Sequence, residues 1–261
     1  MVPSGAERGP GMTETVTTEV RGRVLVVRID REAKRNAIDL AITEGIGAAL
    51  DRLDDDPELW AGVITGTGTV FSAGTDLRAG MSQTDRGGQY GVIKRRRLKP
   101  LVAAVEGYAL GGGMEIVLAC DLVVASTSAT FGLPEVNRSL VPICAGVFRS
   151  VRALPLNVAH EILLTGDPID ADRAERLGFV NRVVAPGAAL DEAVVLAERI
   201  CRNGPVAVRE TMRILDGLVV ADDALGWELT AVAEESVYTS EDTREGVSAF
   251  FERREPRWAG R

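Results

Sequence analysis

The chain alternates between short apolar runs and longer stretches of helical spacing. From Val20 to Asp30, the β-branched run around Val24, Leu25, Val26 and Val27 reads as a strand. It is followed by Asp39 to Leu53, where Leu40, Ile46, Leu50 and Leu53 recur at helical intervals until Pro57 closes the segment. Two similar units come next. Gly62 to Thr65 runs into the glycine-rich Gly66 to Gly74, and Leu101 to Val105 runs into Gly107 to Gly113, so each short buried strand empties into a glycine turn. Further apolar runs at Leu122 to Ala125 and Phe179 to Val184, interleaved with helical patterns, predict an α/β chain whose strands are joined by crossovers. From about Ala188 the strand pattern ends. Leu190 to Arg202, Val206 to Val220, Asp222 to Tyr238 and Thr243 to Arg253 all read as helices. In the last of these, Val247, Phe250 and Phe251 give an apolar face that must cover either the chain's own body or another subunit.

At 261 residues a substantial core is available, close to the size at which chains divide, so one main body with a smaller appendage is expected. The net charge of −8 argues against a nucleic-acid binder, and any anionic ligand must be met locally. Arg31, Lys34 and Arg35 form one basic cluster, and Lys94 to Arg97 with Lys99 form another; each reads equally as a phosphate contact or as a solvated face. Cys120, Cys144 and Cys201 are far apart and odd in number, which fits a reducing cytoplasm. Residues 1–18 lack the apolar centre of a secretory signal and read as a disordered leader, with Met12 an alternative start; no apolar run is long enough to span a membrane.

Two carboxylates attract attention. Glu115 follows Gly111, Gly112 and Gly113 and opens a helix that is otherwise apolar through Cys120. As a helix-start acid it would simply favour the dipole, but a carboxylate on a buried helix needs a purpose or a partner. Glu135 ends the short apolar segment Phe131-Gly132-Leu133-Pro134, where proline stiffens the approach. Other chemistries fit poorly. The single histidine, His160, sits in a helical pattern with no serine placed as its nucleophile, and Gly66-Thr67-Gly68 lacks the third glycine of a dinucleotide fingerprint.

Taken in order, Phe71-Ser72-Ala73-Gly74-Thr75-Asp76-Leu77, Gly107-Tyr108-Ala109-Leu110-Gly111-Gly112-Gly113-Met114-Glu115, Cys120-Asp121 and Phe131-Gly132-Leu133-Pro134-Glu135 resemble the successive signatures of the enoyl-CoA hydratase/isomerase, or crotonase, family. The resemblance extends from about Val20 to Phe250. It implies a crotonase-like spiral of repeated ββα units over residues 19–195 and a helical oligomerisation region over 196–261. It further implies an oxyanion hole from the backbone N–H groups of Thr75 and Gly112, with Glu115 and Glu135 as an acid–base pair that hydrates a trans-2-enoyl-CoA. Isomerisation, decarboxylation and thioester hydrolysis on the same scaffold are the alternatives, and a non-catalytic or RNA-binding member is the alternative of another class. The substrate would be an acyl-CoA, held near Arg35, Ala37, Ala73, Gly74, Asp76, Leu77, Tyr108, Gly111 and Pro134, with Phe250 and Arg253 contributed by the tail. No metal or redox cofactor is required, and the assembly implied is a homotrimer or a dimer of trimers. Two departures from the pattern stand out: Glu32 where a proline is common, and Pro142 to Val147, which adds bulk close to the acyl site in place of a glycine pair.

Overall fold

A computed structural model describes residues 15–259. The chain opens with a hairpin, β1 (Val16–Arg21) and β2 (Val24–Ile29), turned at Gly22, whose φ of 60° suits glycine. The expected leader therefore overlaps β1 at Val16 to Thr18, and the single strand expected from Val20 is two; residues 1–14 of that leader, Met12 among them, lie outside the described residues. Next comes α1 (Leu40–Asp55), whose first turn is capped by the Asp39 carboxylate accepting from the Ile42 N–H at 3.0 Å.

Three successive strand pairs then deal one strand to each of two sheets. β3 (Ala61–Thr65) is followed by β4 (Val70–Ser72) and, after a small hairpin of β5 (Gln83–Thr84) and β6 (Gly88–Gln89), β7 (Leu101–Val105) by β8 (Tyr108–Leu110). After α2 (Gly112–Leu118), β9 (Leu122–Ser126) is followed by β10 (Thr130–Gly132). Next in the chain are α3 (Gly146–Ala153), α4 (Leu156–Thr165), β11 (Ile169–Asp170), α5 (Ala171–Arg176), β12 (Arg182–Val184), α6 (Ala189–Cys201), α7 (Pro205–Thr239) and α8 (Glu241–Glu252). The first sheet runs β1-β2-β3-β7-β9-β12 and is parallel from β2 onward. The second runs β11-β10-β8-β4, with β10, β8 and β4 parallel.

Side chains alternate across the first sheet, as the period of two requires. Leu25, Val27, Ile64, Leu101, Ala103 and Val123 face the main core with Ile42, Ile46, Leu50, Phe71 and Phe131. Val24, Val26, Val63, Val102 and Val124 face the other way and are covered by Ala193, Val194 and Ala197 of α6. Helix α6 thus belongs to the body, so a division at residue 195 would cut it. The helical part that leaves the body begins with α7, a single helix where two were expected. It meets α3 through Phe148 against Trp227, ring centroids 5.2 Å apart, and through Arg149 and Arg152, which both pair with the buried Asp223. Helix α8 folds back onto the chain's own body, where the Thr243 hydroxyl donates to Ser139 O at 2.8 Å. Among the described residues no helix is long and apolar enough to cross a membrane.

Candidate active site

The parallel order of β4, β8 and β10 places three chain segments at one edge of the second sheet, because all three strands end there. Strand β4 leads into Ala73, Gly74 and Thr75; β8 leads into Gly111 and Gly112; and β10 leads into Leu133, Pro134 and Glu135. Carboxyl ends of parallel strands are where open α/β sheets gather ligands.

The two glycine turns touch. Gly74 has φ of 94°, and a Cβ there would lie 3.0 Å from Gly112 N and 2.9 Å from Leu110 O, so glycine is what lets the turns close together. This brings the Thr75 and Gly112 amides side by side, and among the described residues neither N–H donates to a protein acceptor. A Cβ on Gly112 would meet the Tyr90 hydroxyl at 2.7 Å. Tyr90 is buried, holds the left-handed φ of 55°, and shares a 2.7 Å hydrogen bond with the Thr75 hydroxyl. A bulky residue held in that conformation is over-determined by its surroundings, as happens around functional sites.

Glu115 is 2 % exposed, on the buried first turn of α2. Its Oε1 accepts from the Cys144 N–H at 2.8 Å and the Gly146 N–H at 3.0 Å, both on the turn entering α3. That turn depends on Ala145 at φ of 72°, a left-handed residue without glycine's freedom. The replaced glycine pair of the sequence is thus a carboxylate-binding turn. Glu135 is the second residue of the 3-10 turn Pro134–Arg138, and its Oε2 is shut from solvent without a protein partner, while its Oε1 would lie 3.1 Å from a Cβ on Gly111.

Burial raises both carboxyls above the usual carboxylate range, and the Glu115 charge pushes Glu135 further. The two backbone N–H bonds act the other way on Glu115, favouring its ionised form. The pair therefore holds one proton over a range of pH, and the two N–H bonds favour the form in which Glu115 carries the charge. Burial and the Glu115 charge also push the Cys144 thiol up, so it stays protonated and packs against Met81 with sulfurs 3.3 Å apart.

The remaining expected residues separate into groups. Arg35 is exposed beside the site, its O accepting from the Ala73 N–H at 3.0 Å, and Ala37, Ala73 and Leu77 lie along the same rim. Asp76 is spent on Arg31 at 2.9 Å and on the Arg78 N–H, so its side chain shapes the loop. Tyr108 starts β8, at the opposite end from the glycine turn, and its exposed ring is not gathered with the others. Phe250 of α8 lies 4.3 Å from the Arg138 guanidinium, one turn on from Glu135, and Arg253 is exposed at the end of that helix. Much of the second basic cluster is structural: Arg95 pairs with Asp51 and Asp54, Arg97 with Asp121, and the Lys99 ammonium donates to Leu53 O and Asp56 O. His160 is exposed on α4, far in sequence from every residue of the pair.

The family model for enoyl-CoA hydratase/isomerase matches residues 19–261. The chain belongs to that family. It is 41% identical to the mevalonyl-coenzyme A hydratase of Aspergillus fumigatus, over 90% of this chain and 91% of that one. It is 38% identical to the carnitinyl-CoA dehydratase of Citrobacter koseri, over 96% of this chain and 100% of the relative. The crystal structure of carnitinyl-CoA hydratase from Mycobacterium avium superposes with a TM-score of 0.90 at 41% identity, covering 95% of this chain and all of that one. The expected crotonase-like spiral of ββα units is therefore the fold of this family member.

Tyr90, the N–H pair of the Cys144–Gly146 turn and Arg138 were not singled out from the sequence. Tyr90 follows Gly87 and Gly88 and precedes Gly91, and that glycine spacing around an aromatic residue was the available signal.

Proposed function

We propose that the protein is an enoyl-CoA hydratase that adds water across the double bond of a trans-2-enoyl-CoA. The observation that carries this reading is the unequal pair of buried carboxyl groups: Glu115 accepts two backbone N–H bonds that favour its ionised form, whereas the Glu135 Oε2 is buried without a protein partner. The thioester carbonyl docks between the Thr75 and Gly112 N–H groups, which stabilise the enolate oxygen as charge develops there. Glu115 takes a proton from water as the water oxygen bonds to the β-carbon. Electrons move through the former double bond onto the thioester oxygen, and as they return Glu135 delivers its proton to the α-carbon. The pair exchanges roles for the reverse dehydration, and the coenzyme A thioester is substrate, with no further cofactor needed.

The coenzyme A moiety lies along the rim of Arg35, Ala37, Ala73 and Leu77, with Gly111 and Pro134 bordering the acyl end. The protein works as a homotrimer or dimer of trimers, since α7 leaves Ile214, Leu215, Leu218, Leu225, Leu229 and Val232 each more than half exposed, an apolar length that copies of the chain would cover. A reducing cytoplasm suits its three free cysteines. The test is loss of the conjugated double bond of crotonyl-CoA, read by absorbance. The parent should hydrate it, and Glu115→Gln and Glu135→Gln should each lose about 10²–10⁴-fold in kcat; full activity in both variants overturns the assignment.

A further inference from the structure

The turn that holds Glu115 is braced from the helical tail. Ala145, between the two N–H donors, sits at the left-handed φ of 72°, a conformation that persists only where the surroundings enforce it. Two bonds from the first turn of α3 enforce it: the Arg149 N–H donates to Ala145 O at 3.0 Å, and the buried Ser150 hydroxyl donates to Gly146 O at 2.6 Å. The Arg149 side chain is anchored in turn. Its Nη2 donates to Ile93 O at 2.8 Å and lies 3.4 Å from the Asp223 carboxylate, while its Nη1 is buried without a partner.

Asp223 belongs to α7 and also pairs with Arg152, one turn further along α3, whose guanidinium donates to Val219 O at 3.2 Å as well. Beside this bridge α7 approaches α3 at a glycine. A Cβ on the buried Gly226 would lie 2.5 Å from Phe148 Cγ, and Phe148 stacks edge-on against Trp227. A continuous path of contacts therefore runs from α7 through Asp223 and Arg149 to the turn at Ala145, and from there to Glu115. The charged and titratable groups facing Glu115 are Glu135 from the 3-10 turn, Tyr90 from the segment after β6, and the Cys144 thiol and Arg149 from α3 and its entry. Those facing Arg149 are Asp223 of α7, Arg152 of its own helix, Arg97 and the Cys120 thiol.

We propose that Asp223 is a positioning residue for the catalytic base: by bracing Arg149 and Arg152 it fixes the first turn of α3, so that the seat of α7 on α3 governs how firmly Glu115 is held. This deepens the hydratase reading and rests on it. Two effects of losing Asp223 oppose each other. A relaxed turn lengthens the N–H bonds and raises the Glu115 carboxyl, whereas an uncompensated Arg149 charge would lower it. Position prevails in the proposal, and Gly226→Ala isolates it, because that substitution pushes α7 away from Phe148 without altering any charge.

The test reads the proton directly in the full-length protein. In a Glu135→Gln background Glu115 titrates without its partner, and the protonated-carboxyl infrared band lost on further Glu115→Gln substitution is its own. Gly226→Ala and Asp223→Ala should each raise the midpoint of that band by about half to one pH unit. With Glu135 in place, the acid limb of kcat/KM for crotonyl-CoA should move up alongside, and kcat at neutral pH should fall about tenfold at nearly constant KM. Asp223→Asn, which keeps the shape and one acceptor for the arginines, should recover most of the shift. Gly217→Ala, on the same helix with nothing within 4 Å of its Cβ, should leave the midpoint unmoved. An unchanged midpoint in folded Gly226→Ala protein overturns the proposal, as does a downward shift in Asp223→Ala or an Asp223→Asn shift as large as that of Asp223→Ala. If Asp223→Ala does not fold, Gly226→Ala decides. Failure of the parent to hydrate crotonyl-CoA while the midpoint still moves would instead sink the reaction and leave the coupling of α7 to Glu115 standing.

Discussion

Gly146→Ala is the substitution through which the turn's hold on Glu115 can be measured. Gly146 does not have positive φ, so alanine is tolerated by the backbone, and the consequence is steric. The new Cβ would lie 2.8 Å from Glu115 Oε1, 3.1 Å from its Cγ and 2.6 Å from Pro142 Cβ. Ordinary contact requires the carboxylate to retreat by roughly half an ångström, which lengthens its bonds of 2.8 and 3.0 Å from Cys144 and Gly146. A hydrogen bond to a charged group contributes about 1.5–3 kcal/mol, and losing one lifts the Glu115 carboxyl by about one to two pH units. Its ionised form is the base, so the acid limb of the kcat/KM profile for crotonyl-CoA should move up by that amount. Misplacement of the carboxylate adds a loss on the order of 10²-fold at neutral pH. Overpacking should cost about 1–3 kcal/mol in urea unfolding. Gly217→Ala, where a Cβ meets nothing within 4 Å, is the control and should be stabilising by about 0.5–1 kcal/mol. If a folded Gly146→Ala protein keeps the parent's acid limb, the turn does not set the state of Glu115 and the division of labour in the pair is wrong.

Three further outcomes are expected. Glu135 binds its proton more tightly folded than unfolded, so its contribution to stability is complete below the unfolded carboxylate range and is lost as pH rises through its raised folded value; urea midpoints across pH should fall less steeply on the alkaline side in Glu135→Gln than in the parent, and equal slopes would contradict the burial argument. Tyr90→Phe leaves the Thr75 hydroxyl without its 2.7 Å partner at the edge of the amide pair, and kcat should drop roughly tenfold with little change in KM, as expected when transition-state placement is lost; a rise in KM alone would assign Tyr90 to substrate binding only. Asp121→Ala strands the buried Arg97, which donates to it at 2.6 and 3.1 Å, and should cost about 3–5 kcal/mol in chemical unfolding; a loss below about 1 kcal/mol would show the pair to be solvated like a surface bridge.

What the sequence made legible follows from the length of each element. Strand β7 was readable to the residue because five consecutive buried apolar positions leave no competing pattern, and α1 because its spacing and its Asp39 cap agree. Strands β4, β8 and β10 are three residues each, too short to show a period, and they exist because neighbouring strands pair with them. The sequence therefore showed glycine turns where the structure has strands ending in turns. The segments Val206 to Val220 and Asp222 to Tyr238 read as separate helices parted at Ala221, whereas the backbone continues through that point as one helix.

The same distinction explains the site. Glu115, Glu135, Thr75 and Gly112 are legible as candidates because each sits in a local motif, and local motifs survive in one dimension. Their convergence, however, is a property of strand direction: only when β4, β8 and β10 lie parallel do their ends share an edge, and that parallel order also leaves Tyr108, at the start of β8, on the far side. What sets the two glutamates apart is less local still, since the donors that favour the ionised form of Glu115 come from Cys144 and Gly146, 29 and 31 residues away. Backbone donors carry no signature in residue type. A motif can thus name the two carboxyl groups, but the turn that favours charge on one of them over the other is built from backbone whose side chains say nothing about it.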